Sequence, residues 1–450
     1  MSTQRLDFKI DNEKLFEAFH LAPQFGLLND PNGLIYFKGY YHVFYQWNPK
    51  ALDHKYKVWG HFISKDLKNW HREPIALSPS AEYDSAGIYS GTAFIHDEYL
   101  YVVYTGNIRD SNGESCASHQ NIARSADGLK FEKLGEMFPH PKGYTRHVRD
   151  PKVWRAANGQ WQLILGAQKA DTLTGDIILY QSNDLKNWQF RGSILGSQLP
   201  NYRGYMLECP DLIDFGKQQV LMFSLQGHAA EGERFKNIHN TGYVVGNFDH
   251  QNGVFNVNTN YQEFDYGFEY YAPQTMNLAN NKHLIWGWMG IMPAAVEESL
   301  PTKKDNWMHI LSQPRELVLE QNHLYQLPII ETKELFKQKQ SDQVMTWEAK
   351  LVPQYVKLTN VVDFELKITE NLVLELSNNK LTLLRISWHN GMKEVRTVEA
   401  VINTLEIFID NSTVEIFVNN GQYAFSARFF GDVKIINLKA RQPITIEQNF

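Results

Sequence analysis

The chain has 450 residues, 43% of them hydrophobic, which is enough for two buried cores. Charged residues make up 21% and the formal net charge is −6, so no broad basic surface offers itself to nucleic acid or to an anionic membrane. The only two cysteines are Cys116 and Cys209, which excludes a disulfide framework.

The first segment, MSTQRLDFKIDNEKLF, is polar and charged and lacks the apolar stretch of a secretory leader. No run of 18 apolar residues occurs anywhere, so a cytoplasmic protein with no membrane partner is expected.

From Leu28 onward an extended run, a short turn and a second extended run recur five times. The copies are LNDPNGLIYFKGYYHVFYQ from Leu28, YSGTAFIHDEYLYVVYTG from Tyr89, VRDPKVWRAANGQWQLILG from Val148, LECPDLIDFGKQQVLMFSL from Leu207 and YAPQTMNLANNKHLIWGWM from Tyr271. Aligning Pro31, Gly91, Pro151, Pro210 and Pro273 gives steps of 60, 60, 59 and 63 residues. A second marker keeps time with the first: ISKDLKNW from Ile63 returns as RSADGLKF from Arg124 and QSNDLKNW from Gln181. Asp and Asn followed by an aromatic ring are turn chemistry, so these segments are expected to be structural. Repeats of this period predict an all-β fold with a five-bladed β-propeller. We place it over residues 1–315, with a connecting stretch from about 290.

Beyond it come alternating runs such as VDFELKIT, TLEIFID and TVEIFV, with a hairpin turn expected at Asn419 to Gly421. They predict an antiparallel β-sandwich over 316–450 with an auxiliary role.

Asp30, Asp150 and Glu208 occupy the same place in their repeats to within one residue. The first strand of each propeller blade lines the central channel, so these acids should converge at one mouth. Three converging carboxylates suit the breaking of an acetal. One protonates the departing oxygen, one attacks or activates water, and the third holds hydroxyls and offsets positive charge. Cys209 has no evident His and Asn partners and reads as a small packed residue. The histidines show no HExxH-like or cysteine-rich spacing, so neither metal nor cofactor is expected.

At these residues the chain resembles glycoside hydrolase family 32, the invertases, fructanases and sucrose-6-phosphate hydrolases. NDPNG at Asn29 to Gly33, RDP at Arg149 to Pro151 and ECP at Glu208 to Pro210 carry the resemblance, joined by FYQWNP, YSGT, YAPQT and WGWMG in matching order. The resemblance implies a retaining β-fructofuranosidase acting through a covalent fructosyl-enzyme on sucrose 6-phosphate or sucrose. It makes Asp30 the nucleophile, Glu208 the acid/base, and Asp150, fixed by Arg149, a binder of fructose hydroxyls. On that division Glu208 needs a raised pKa while Asp30 stays ionised.

The resemblance and the strand direction together add Asn29, Gln46, Trp47, Tyr89, Ser90 and Trp288 around a small-molecule sugar. Trp47 equally suits packing between blades. The loop from Asn48 to Val58 should lie on the same rim, with His54, Lys55 and Lys57 as candidate contacts for a phosphate monoester. Many secreted members carry a tryptophan where His54 stands, and an ordinary solvated loop could hold the same residues. A fructan hydrolase, a fructosyltransferase or a non-catalytic carbohydrate-binding propeller remain alternatives. Oligomeric state has no signature in the sequence.

Overall fold

A computed structural model of the chain describes residues 15–431 and 435–450. Between Gly26 and Pro328 five antiparallel sheets follow one another, each meandering outward from a first strand. Those first strands are Gly26–Phe37, Gly87–His96, Tyr144–Arg155, Met206–Asp214 and Tyr271–Asn277. Each touches the next in order, and the fifth touches the first, so the ring closes into the expected propeller. A short parallel pairing of Trp307–Met308 with Gly26 and Leu27 adds a clasp between blades five and one.

Blades packed face to face bury both surfaces of their middle strands. Strands such as Trp161–Lys169 and Gln219–Gln226 are therefore apolar and buried over most of their length. The outermost strands, Trp70–Leu77 and Trp188–Ser193, are largely half-buried or exposed. The second sequence marker forms the turns before those outer strands. The Asp66 carboxylate accepts the backbone N–H groups of Lys68 and Asn69, and Asp184 does the same for Lys186 and Asn187.

The propeller extends past the boundary expected at 315. The strands Arg315–Glu320 and His323–Pro328 form the outer half of blade five, pairing onto His283–Trp288. The prolines and short strands of this stretch suggested a connector because a 26-residue insertion, from Met289 to Pro314, separates them from the inner half. That insertion carries a short helix, Ala294–Glu298.

The C-terminal strands form one ten-stranded antiparallel sheet folded over an apolar core that includes Leu366, Leu374, Ile407, Ile416 and Phe425. Asn419, Asn420 and Gly421, all at positive φ, make its expected hairpin. Charged side chains without solvent access tie it to the propeller. Arg315 donates to Asp265 and Glu415, and His20 bridges Asp410 and Glu415.

Candidate active site

In all five first strands the pairing register slips at the repeat landmark, between Leu28 and Pro31, Ile88 and Gly91, Arg149 and Lys152, Glu208 and Asp211, and Tyr271 and Gln274. A bulge breaks strict alternation and re-aims side chains. At three of the bulges a non-glycine residue takes positive φ: Asp150 at 65°, Cys209 at 46° and Ala272 at 48°. Such residues are strained and held by their surroundings. Here Thr105 Oγ1 accepts the Asp150 N–H at 3.0 Å, and Ser224 Oγ accepts that of Ala272 at 3.2 Å. As a result the residue two before each landmark, Asn29, Tyr89, Arg149, Glu208 or Tyr271, lines a single cavity of about 210 Å³. Asp30 and Asp150, one position later, line it too.

Asp30 is held from several sides. Ser90 Oγ donates to Oδ2 at 2.5 Å, Gln46 Nε2 donates to the same oxygen at 3.2 Å, and Asn29 Nδ2 donates to Oδ1 at 3.1 Å. Burial nevertheless pushes its carboxyl up, with the Ser90 hydrogen bond opposing and the Glu208 charge adding to the rise. Asp150 accepts the Cys209 N–H at 3.0 Å, and burial pushes it to about 7.

Glu208 departs from expectation. Burial raises its pKa, but Arg149 and the Tyr271 hydroxyl outweigh that and leave it lowered. Arg149 Nε and Nη2 lie 2.8 and 2.6 Å from Oε1, while Tyr271 Oη and Gln226 Nε2 donate to Oε2 at 2.7 and 2.6 Å. Arg149 thus hydrogen-bonds Glu208 and approaches Asp150 at the limit of an ion pair, Nε to Oδ2 4.0 Å, where its charge still lowers Asp150. In the open cavity the two carboxyls are therefore shifted against expectation, Asp30 upward and Glu208 downward.

Lys57 is 3% exposed and lines the cavity, and among the described residues no carboxylate lies within ion-pairing distance of it. Its ammonium donates to Asn29 Oδ1 and stands 3.1 Å from His54 Nδ1. Desolvation brings it down to about 7. Beyond His54 the chain of contacts continues. Glu297 Oε1 is 2.9 Å from His54 Nε2 and 2.8 Å from His309 Nε2.

Ten of the thirteen residues expected from the sequence line the cavity: Asn29, Asp30, Gln46, His54, Lys57, Tyr89, Arg149, Asp150, Glu208 and Trp288. Ser90 sits fully buried behind Asp30. Trp47 does not line the cavity; its indole N–H donates to Phe25 O at 2.8 Å and its ring packs on Phe25 and Tyr45. Lys55 is exposed outside it. Gln226, Tyr271 and Ile291 line it unforeseen. The repeats did carry the signal for two of them. Tyr271 stands two before Pro273, as Asn29 stands two before Pro31, and Gln226 ends its second strand as Gln46 nearly ends its own.

The model of the glycosyl hydrolases family 32 N-terminal domain matches residues 20–328, and that of the family's C-terminal domain matches 371–445. The chain belongs to glycosyl hydrolases family 32. It is 41% identical over 419 residues to a sucrose-6-phosphate hydrolase of Klebsiella pneumoniae, covering 92% of this chain and 88% of that protein. The structure of sucrose-6-phosphate hydrolase from Lactobacillus gasseri superposes with a TM-score of 0.89 at 29% identity, covering 99% of this chain and 97% of that one. A Bombyx mori family 32 beta-fructofuranosidase mutant, solved in complex with sucrose, gives 0.86 at 28% identity, covering 97% and 94%. Family membership makes the protein a glycoside hydrolase. Its N-terminal domain model stops at 328, which is also where the fifth blade ends. Among the described residues no helix is long and apolar enough to cross a membrane.

Proposed function

We propose that this family 32 protein is a retaining β-fructofuranosidase that hydrolyses the fructosyl bond of sucrose 6-phosphate, and also of sucrose, through a covalent fructosyl-enzyme. The observation that carries this reading is the convergence of carboxylates from blades one, three and four on one cavity. Asp30, oriented by Ser90, Gln46 and Asn29, attacks the anomeric carbon. Glu208 protonates the departing glucosyl oxygen and later takes a proton from water. Asp150 accepts fructose hydroxyls and offsets the oxocarbenium charge. The lowered pKa of Glu208 belongs to the open cavity. A sugar that excludes water and engages Arg149 and Tyr271 strengthens the desolvation that favours the protonated acid.

The phosphate preference rests on Lys57. Its desolvated amine, brought down to about 7 in the open cavity, is held in the charged form when a ligand supplies the anion. His54 shares that corner of the cavity, whereas Lys55 lies outside it. Relatives named sucrose-6-phosphate hydrolase support the same choice. A phosphorylated disaccharide is charged and does not cross a bilayer unaided, so a cytoplasmic location accompanies this substrate.

Initial rates on sucrose, sucrose 6-phosphate and a fructan, with product analysis, test the reading. We expect the highest kcat/KM on sucrose 6-phosphate, with one free fructose released per bond broken. Predominant fructosyl transfer, or no turnover of either sucrose substrate, overturns it.

A further inference from the structure

The blade-five insertion reaches the catalytic rim with two side chains that no repeat position foreshadows. Glu297 comes from the short helix, and His309 from the strand-like segment behind it. His309 is fully buried and held at φ 65°, while His54 lies on the exposed rim loop. Both imidazoles present Nε2 to one carboxylate oxygen, Glu297 Oε1.

The three ligand atoms lie within 4.8 Å of one another, a spacing that could surround a cation. The proton arrangement argues for another role. A histidine that binds a metal through Nε2 carries its proton on Nδ1. The Nδ1 of His54 stands 3.1 Å from Lys57 Nζ, which in its charged form can only donate, so a proton on Nδ1 would set donor against donor and work against that charge. Nδ1 of buried His309 has no partner, so a proton there would be orphaned. With the proton on Nε2 in both rings, each N–H meets the carboxylate, and the His54 Nδ1 lone pair meets Lys57.

We propose that Glu297 and His309 act as positioning residues which lock His54 in its Nε2-protonated tautomer, so that His54 holds the Lys57 ammonium at the cavity and makes the insertion a determinant of preference for a phosphorylated substrate. This rests on the phosphate reading above. The ammonium has three donors. Asn29 Oδ1 takes one and His54 Nδ1 a second, which leaves the third for a ligand in the cavity that Lys57 lines. The same contact fixes Asn29, whose Nδ2 then donates to Asp30 and Gln46. A continuous relay therefore runs from His309 through Glu297, His54, Lys57 and Asn29 to Asp30.

Both imidazoles use the one oxygen Oε1, which an amide would still supply, so Glu297→Met, which removes both acceptor oxygens and keeps the side chain's length, releases the tautomer lock. We expect KM for sucrose 6-phosphate to rise about tenfold, the scale of one charge-assisted contact, with kcat changed less than about threefold. The loss on sucrose, which the relay reaches only through Asn29 and Asp30, should be smaller than that on sucrose 6-phosphate. His54→Ala, a change on an exposed loop that leaves the core intact, should likewise lose more on sucrose 6-phosphate than on sucrose.

Nitrogen NMR of the 15N-labelled imidazoles supplies a readout independent of turnover. We expect His54 with Nε2 protonated in the wild type, and a changed tautomer ratio in Glu297→Met. A protonated Nδ1 in the wild type overturns the proposal, as do equal losses on both sugars in the two variants. So does loss of the wild-type kinetics on dialysis against a chelator, which would return the three atoms to a metal. If the wild type shows no preference for sucrose 6-phosphate, the phosphate reading fails, while the NMR result still decides the relay.

Discussion

Arg149 places Nε 2.8 Å and Nη2 2.6 Å from one oxygen, Oε1 of Glu208, so the group proposed to donate a proton is held as a carboxylate in the open cavity. Asp30, raised by burial, holds its proton to higher pH. Both shifts run against the productive form, ionised Asp30 with protonated Glu208. In a pair whose two values have crossed, the acid limb of kcat/KM belongs to Glu208 and the basic limb to Asp30.

Two substitutions separate the limbs. Ser90→Ala removes a hydrogen bond that lowers Asp30, so the basic limb should move to higher pH. Tyr271→Phe removes one that lowers Glu208, so the acid limb should move to higher pH. The conventional order gives the opposite pairing, with Ser90→Ala moving the acid limb. Profiles of kcat/KM on sucrose 6-phosphate decide between the two.

Roles can be told apart by leaving group. Glu208→Gln should lose about 10²- to 10⁴-fold on sucrose 6-phosphate, the usual scale of general acid catalysis, and far less on a fructoside whose leaving group needs no proton. Asp30→Asn should abolish turnover of both. Equal losses on the activated fructoside in the two variants would mean that the roles are misassigned.

Much of this site was legible because propeller symmetry turns a sequence period into a spatial ring. Asp30, Asp150 and Glu208 could be placed together from the landmarks at Pro31, Pro151 and Pro210 alone. What the period could not carry is hydrogen-bond partnership. Arg149 stands immediately before Asp150 in sequence, yet a bulge with Asp150 at φ 65° turns its guanidinium toward Glu208 of blade four. Glu297 and His309 were invisible for a different reason. They sit in an insertion with no counterpart in the other blades, and the same insertion hid the outer half of blade five.

The rim cations should be unequal. Lys57→Met keeps the apolar stem but removes the buried ammonium, so kcat/KM on sucrose 6-phosphate should fall about ten- to a hundredfold. Sucrose should lose less, because only the contacts with Asn29 and His54 are missing there. Lys55→Ala should leave both rates within about twofold, since that side chain is exposed outside the cavity. Equal effects of Lys57→Met on the two sugars would remove Lys57 from phosphate recognition.

The junction between propeller and sandwich makes a prediction about stability. His20, without side-chain exposure, bridges Asp410 and Glu415 at 2.9 Å each, and its two hydrogen bonds outweigh burial to bring it up to about 10. A group whose pKa rises on folding contributes stability that is complete below its unfolded value, near 6.5, and that fades as pH climbs toward the folded value. His20→Gln leaves the two carboxylates with one cation fewer, so it should cost about 3–5 kcal/mol at pH 6. The deficit should narrow steadily between pH 7 and pH 10, because the imidazole of the unfolded wild-type chain has lost its proton there and folding must take one up. Urea unfolding of both proteins across that range measures it, and a deficit that stays constant with pH would show that His20 acts through packing alone.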